Sequence, residues 1–231
     1  MKNVIVDFRI HNEEKQCLVS MGYDLLICPS SNLLYEAVCG HPDMLMSITD
    51  NSIIVHKNMS NEFMQDLLSL NYNVYKSSSV LQNKYPYNIC LNSLSIGNLF
   101  VHLINFTDTK LLSLVKNKKL VNVKQGYTKC STCIVNNHAA ITSDVSIAKA
   151  LNIEGVDVLL LPPGDILLPG LNYGFIGGAT GLLCDNVLAF YGHLDHYLYG
   201  KEVLKFLNKH KVEPVFLRNG KLIDRGSIFR V

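Results

Sequence analysis

Four sets of residues have the types and spacing to do chemistry. Cys130-x-x-Cys133 has the spacing of a redox pair or of half a zinc site. Residues three apart on a strand point to opposite faces, however, and no second cysteine pair accompanies this one, so neither role is expected. His193-x-x-His196, with Asp195 between them, places two metal-type ligands on what reads as the first turn of a helix. Asp195 as an N-cap beside two solvent-facing histidines is the simpler reading. The glycines at 170, 174, 177, 178 and 181 lead into a strand, whereas a phosphate loop or dinucleotide fingerprint would lead into a helix. Close backbone packing is expected there, and an anion held by the amides of 170–181 stays open. No metal and no cofactor follow from these three sets.

The fourth set is dispersed: His41 and Asp43; Tyr85, Tyr87 and Asn88; Lys124, Gln125, Tyr127, Lys129 and Cys130; Asn172 and Tyr173; Asp224 and Arg225. These residues share a place in a repeat that returns every 40 to 50 residues. The clearest copy starts at His41. HPDMLMSIT reads as a strand, Asp50-Asn51 as a turn and SIIVHK as a second strand. A helix follows with Ser60 as N-cap and Phe63, Leu67 and Leu70 on one face, then the strand NVYK. A second copy runs through YNICLNSL, Gly97-Asn98, LFVHLI, a helix begun by Thr107-Asp108, and LVNVKQ. The third has KCSTCIV, Asn136-Asn137, AAITSD, a helix capped by Ser143 or Asp144, and VDVLLLP. The fourth has GFIGGATGLLC, Asp185-Asn186, VLAFYG, a helix from Asp195 to about Lys209, and VEPVFL.

The fold expected is therefore α/β, a five-bladed ring of ββαβ units spanning 1–231 with units near 41–84, 85–125, 126–170 and 171–218. The fifth is made by joining 219–231 to 1–40, with Ile228 and Phe229 pairing to the Val4–Val6 region. In such a ring the first strand of every unit starts at one central opening, which would gather the dispersed set. Strand ends beside loops are polar in many proteins, and that plainer reading stays open. His11, His56, His102 and His138 have no such company.

Composition narrows the partners. The 21 basic and 19 acidic residues nearly cancel, so no long-range field points to nucleic acid or to an anionic membrane. The basic run 116–119 falls at a helix end, where cations suit the helix dipole. The start, MKNVIVDFRI, is interrupted by Asp7 and Arg9 and reads as neither a signal peptide nor a spanning helix. Seven cysteines, an odd number set mostly in apolar runs, favour reduced thiols and a cytoplasmic location.

The repeat and two short motifs resemble the pentein superfamily, the fivefold ββαβ propeller shared by guanidino-group-modifying enzymes and by a ribosome anti-association factor. His41-Pro42-Asp43-Met44-Leu45-Met46 is similar to the His-x-Asp strand start of arginine deiminases, and Gly126-Tyr127-Thr128-Lys129-Cys130 to their glycine-led cysteine segment. The resemblance implies Cys130 as nucleophile, His41 as acid/base and Asp43 as the grip on a substrate cation, in a C–N hydrolase or transferase. It implies a small ligand in the central channel, bordered by Tyr127, Lys129, Asn88, Asn172, Tyr173, Asp224 and Arg225. The chain departs from the pattern in offering few further carboxylates, while Lys124, Lys129 and Arg225 add positive charge. An anionic or zwitterionic ligand, bound without catalysis, or a macromolecular partner on the same ring, is the alternative. Cations around Cys130 would lower its ionisation below the usual value of about 8.5.

Overall fold

The computed structural model describes residues 2–231. Its strands fall into five sheets of three. In four of them the same order recurs: β3 (Met46–Thr49), β4 (Ser52–Val55), helix α3 (Asn61–Ser69), β5 (Asn73–Lys76); β6 (Leu94–Ile96), β7 (Leu99–His102), α4 (Thr109–Leu114), β8 (Lys119–Asn122); β9 (Thr132–Asn136), β10 (Ala139–Thr142), α5 (Val145–Ile153), β11 (Asp157–Leu160); β12 (Thr180–Cys184), β13 (Val187–Phe190), α6 (Gly200–Lys209), β14 (Glu213–Phe216). Each hairpin is antiparallel, and each helix carries the chain across to a parallel third strand. The fifth sheet is closed by the two ends of the chain. β1 (Lys2–Asp7), α1 (Asn12–Ser20) and β2 (Tyr23–Cys28) supply its core, and β15 (Phe229–Arg230) pairs antiparallel with β1, Phe229 opposite Ile5. Ile228 does not join that pair; its N–H donates to the Thr180 carbonyl, which ties β15 to β12.

Local chemistry explains why the units repeat. Asp50-Asn51 and Gly97-Asn98 form the two-residue hairpin links, with Gly97 at φ +53°. The hydroxyl of Ser60 accepts from Phe63 N at 3.3 Å, the Asp108 carboxylate from Lys110 N and Leu111 N, and Asp144 from Ile147 N, each satisfying a helix start worth about 1 kcal/mol. Phe63 and Leu67 are buried beneath α3, while Leu70 is only half-buried. Asp195 is no N-cap: it sits exposed in a short 3-10 turn, Leu194–His196, whose start is capped by His193 Nδ1, and α6 begins only at Gly200. Asn136 closes β9, so the third turn is Asn137-His138.

The first strands are shorter than their apolar runs. Between His41 and β3 the chain makes one helical turn, α2 (Pro42–Leu45); β6, β9 and β12 likewise begin only at Leu94, Thr132 and Thr180. Among the residues freed from the ladder, Asp43, Asn92 and Cys130 bond one another across units. Farther along, each first strand offers one half-buried residue to a common opening: Ile48, Ser95, Ile134, Leu182 and Phe229 border one cavity of about 180 Å³. The ring axis therefore has two mouths, one at the strand starts and one beyond them. No helix among the described residues is long and apolar enough to cross a membrane.

Candidate functional site

The mouth at the strand starts holds a pocket of about 260 Å³ lined by His41, Tyr127, Cys130, Asn172, Tyr173 and Asp224, with Tyr35, Met44 and Phe175 among its apolar walls. His41 and Asp224, toward opposite ends of the chain, thus meet around one space, as the ring predicts.

Cys130 is held by a neighbouring unit. The Asn92 carboxamide oxygen accepts from Lys129 N at 2.9 Å and Cys130 N at 3.2 Å, and its Nδ2 donates to Cys130 Sγ at 2.9 Å and to the Asp43 carbonyl at 2.9 Å. The thiol donates to Asp43 Oδ1 at 3.0 Å. Asp43 is fully buried and lies behind the sulfur, off the pocket wall; its second oxygen accepts from Ser227 Oγ at 2.7 Å.

His41 lines the same pocket. Its Nε2 lies 3.9 Å from Asp7 Oδ2 and its Nδ1 3.7 Å from Asp224 Oδ1, too long for hydrogen bonds, and neither nitrogen has a partner among the described residues. The position is fixed by backbone rather than by ring contacts. Pro42 starts α2 directly after it, and Gly226, at φ +70°, packs so close that any side chain there would overlap the His41 side chain. Asp224 is aimed by two N–H donors, Phe175 at 2.8 Å and Gly226 at 3.0 Å, and Asp7 is clamped by the Arg9 guanidinium through both carboxylate oxygens at 3.0 and 2.6 Å.

The electrostatics differ from the sequence expectation. Burial, and after it the negative charges of Asp43 and Asp224, push the Cys130 thiol well above its usual range. The cations expected around it are turned elsewhere. Lys129 Nζ bonds Ser227 Oγ at 2.8 Å and borders the other mouth of the axis. Arg225 faces buried Glu14, Nε to Oε2 at 3.0 Å, and the Arg9 carbonyl, on a separate cavity beyond Asp224. Lys124 is exposed. Asp224 is itself raised, chiefly by burial, with His41 opposing.

Asn88 is buried behind the wall and donates to the Tyr127 hydroxyl at 2.9 Å. Tyr85 packs on Tyr127, while Tyr87 packs on Phe106. The glycine segment does pack closely: Gly174 and Gly178 press on Asp224, and Gly177 on the backbone of Lys129 and Cys130. Cys133 is buried on β9. Among the described residues no group of three or more metal-type ligands occurs. Asp7, Asn92 and Ser227 are not among the site residues the sequence suggests, because nothing local marks them for that role.

The family model described as "Family of unknown function (DUF6873)" matches residues 5–229. No curated protein sequence matches the chain. Solved structures similar to it include an inosamine-phosphate amidinotransferase from Streptomyces griseus (TM-score 0.61, 9% identity, 99% of this chain and 93% of that one) and an amidinotransferase of the saxitoxin pathway from Microseira wollei (0.58, 8%, 94% and 88%). A C. jejuni agmatine deiminase is a third (0.55, 10%, 94% and 86%). At such identities the likeness establishes the architecture, and that architecture is the pentein propeller.

Proposed function

We propose that this chain, which belongs to the DUF6873 family, is a cysteine-dependent C–N hydrolase or transferase acting on a small guanidino- or amidino-type cation, with Cys130 as nucleophile and His41 as acid/base. One observation carries the reading: a thiol bonded to a carboxylate shares a pocket with an imidazole whose two nitrogens are unpartnered between two more carboxylates. Asp224 on the pocket wall, with Asp43 behind the sulfur and Asp7 behind the imidazole, favours a cation over the anion that the sequence's lysines and arginine suggested. The amidinotransferase and deiminase named above support the same substrate class.

In this reading the bound cation offsets the negative field at the sulfur. The thiol proton passes to Asp43 Oδ1, and the thiolate attacks the amidinium carbon. The C–N bond breaks as protonated His41 gives its proton to the departing amine, leaving an amidino group on Cys130. Water, or an acceptor amine, then attacks that carbon while His41 takes its proton; the C–S bond breaks and Cys130 regains its proton. Asn172 and Tyr173, at the exposed rim, would meet the rest of the substrate. Seven free thiols, most of them wholly or largely shielded, suit the cytoplasm.

The test is release of ammonia or amine from a panel of guanidino and amidino compounds. Cys130→Ala should abolish it, and a variant with full turnover would sink the proposal. A second reading, binding without turnover, is favoured by the raised thiol; protection of Cys130 from alkylation by a compound that is never converted would select it.

A further inference from the structure

Asp43 is addressed from both mouths of the ring axis. On the pocket side it accepts the Cys130 thiol; on the far side it accepts Ser227 Oγ at 2.7 Å, which accepts Lys129 Nζ at 2.8 Å. All four side chains are buried, and the lysine ammonium ends at the second cavity, bordered by the five first strands. Ser227 sits at φ +70°, a left-handed backbone that is costly for any residue but glycine. Glycine would relieve that cost, yet the position carries the one hydroxyl linking Lys129 to Asp43. Its N–H donates to the Gly178 carbonyl and so anchors the loop without the hydroxyl, which lies nearer to Asp43 than to the Gly177 carbonyl at 2.9 Å, the other acceptor for its one proton.

Resting on the cysteine reading above, we propose that Lys129 and Ser227 are positioning residues that act through Asp43, holding it from the far mouth as the ionised acceptor of the Cys130 proton. They touch neither substrate nor sulfur. The proton transfer stays within the Asp43–Cys130 pair: Sγ–H breaks, Oδ1–H forms, and the negative charge moves to sulfur with the ammonium behind it. The other titratable groups around the sulfur, His41, Asp224, Tyr35 and Tyr127, all lie on the pocket side. The far side of the pair thus has its own charge, independent of what fills the pocket.

The experiment follows Cys130 alkylation by iodoacetamide against pH, read by peptide mass. It uses wild type, Lys129→Met, Lys129→Arg and Ser227→Gly, with thermal melting as the check on folding. Removing the ammonium or its link should move the Cys130 midpoint up by about one pH unit, because the pair loses the charge that favours its ionised forms. Lys129→Arg should stay near wild type. Ser227→Gly relieves the strained backbone, so it should fold even if Lys129→Met does not, and it then decides the matter. Unchanged midpoints in folded variants, with Cys130 reactive in all, would overturn the relay and leave the cysteine reading intact. A wild-type Cys130 inert across the whole range while Cys17 and Cys184 react would overturn both.

Discussion

Replacing Asp43 by Asn separates the two jobs assigned to that carboxylate, because it should drive them in opposite directions. The carboxylate oxygen lies 3.0 Å from the Cys130 sulfur. Two unit charges at that separation repel by about 5 kcal/mol at an effective dielectric of about 20, a ceiling of about four pH units on the thiol. Relaxation and water at the pocket mouth reduce this, and a fall of about two units is the working expectation. Each unit raises the thiolate fraction tenfold but lowers its intrinsic nucleophilicity by about threefold, so neutral iodoacetamide should label Cys130 about tenfold faster at pH 7. Turnover should fall by about a hundredfold or more, since the proposed acceptor of the thiol proton is lost. Asn can still accept from Ser227 and stays bonded to Asn92, so the fold should persist. The assay pairs labelling rate with ammonia or amine release on one preparation. Slower labelling, or turnover near wild type, would refute the assignment of Asp43.

Further outcomes follow from the same geometry. Gly226→Ala drives a methyl into His41 and should cost at least about 2 kcal/mol in urea denaturation along with most activity. An amidinium-bearing alkylating reagent should outpace iodoacetamide at Cys130 by a larger factor than at half-exposed Cys184, since Asp224 lines the first site and Asp43 and Asp7 lie behind it; equal ratios would remove the cation preference. His102 is held down to about 4, mainly by burial, against an unfolded value of about 6.5. Its contribution of about 3 kcal/mol is therefore full above pH 6.5 and lost as pH falls toward 4, which urea midpoints should show and His102→Gln should flatten; His56, also about 4, adds in the same direction. Deleting residues 222–231 removes β15 and opens the ring, so a soluble, cooperatively melting truncation would count against closure by the termini.

What the sequence revealed was local. Hairpin turns at Asp50-Asn51 and Gly97-Asn98 and the caps at Ser60, Asp108 and Asp144 act within three or four residues, and the repeat of such signals exposed the fivefold plan. The same reasoning misread Asp195, because α6 waits for Gly200, which packs against the Leu194 carbonyl where a side chain would not fit. The site partners were harder to see. Asn92 reaches 38 residues to Cys130 and 49 to Asp43, and Ser227 reaches 184 to Asp43. Lys129 misled for a related reason: adjacency in sequence suggested that it shares the sulfur's surroundings, whereas the turn over 128–131 sends the two side chains to opposite mouths of the axis.

The closing of the ring and the assembly of the site are one physical event. Asp7 ends β1, and Asp224, Gly226 and Ser227 immediately precede β15, the strand that pairs with β1. Until those two strands meet, His41 has neither flanking carboxylate, Asp43 lacks its Ser227 donor, and Lys129 has nothing to act through. Only the Cys130–Asn92–Asp43 contacts can form from the middle of the chain. A weakened β1–β15 pair should therefore leave a cysteine still anchored by Asn92 but stripped of its acid/base surroundings. The burial of so many charged groups at one strand pair is costly for stability alone; under the proposed function it would make the chemistry conditional on a closed ring.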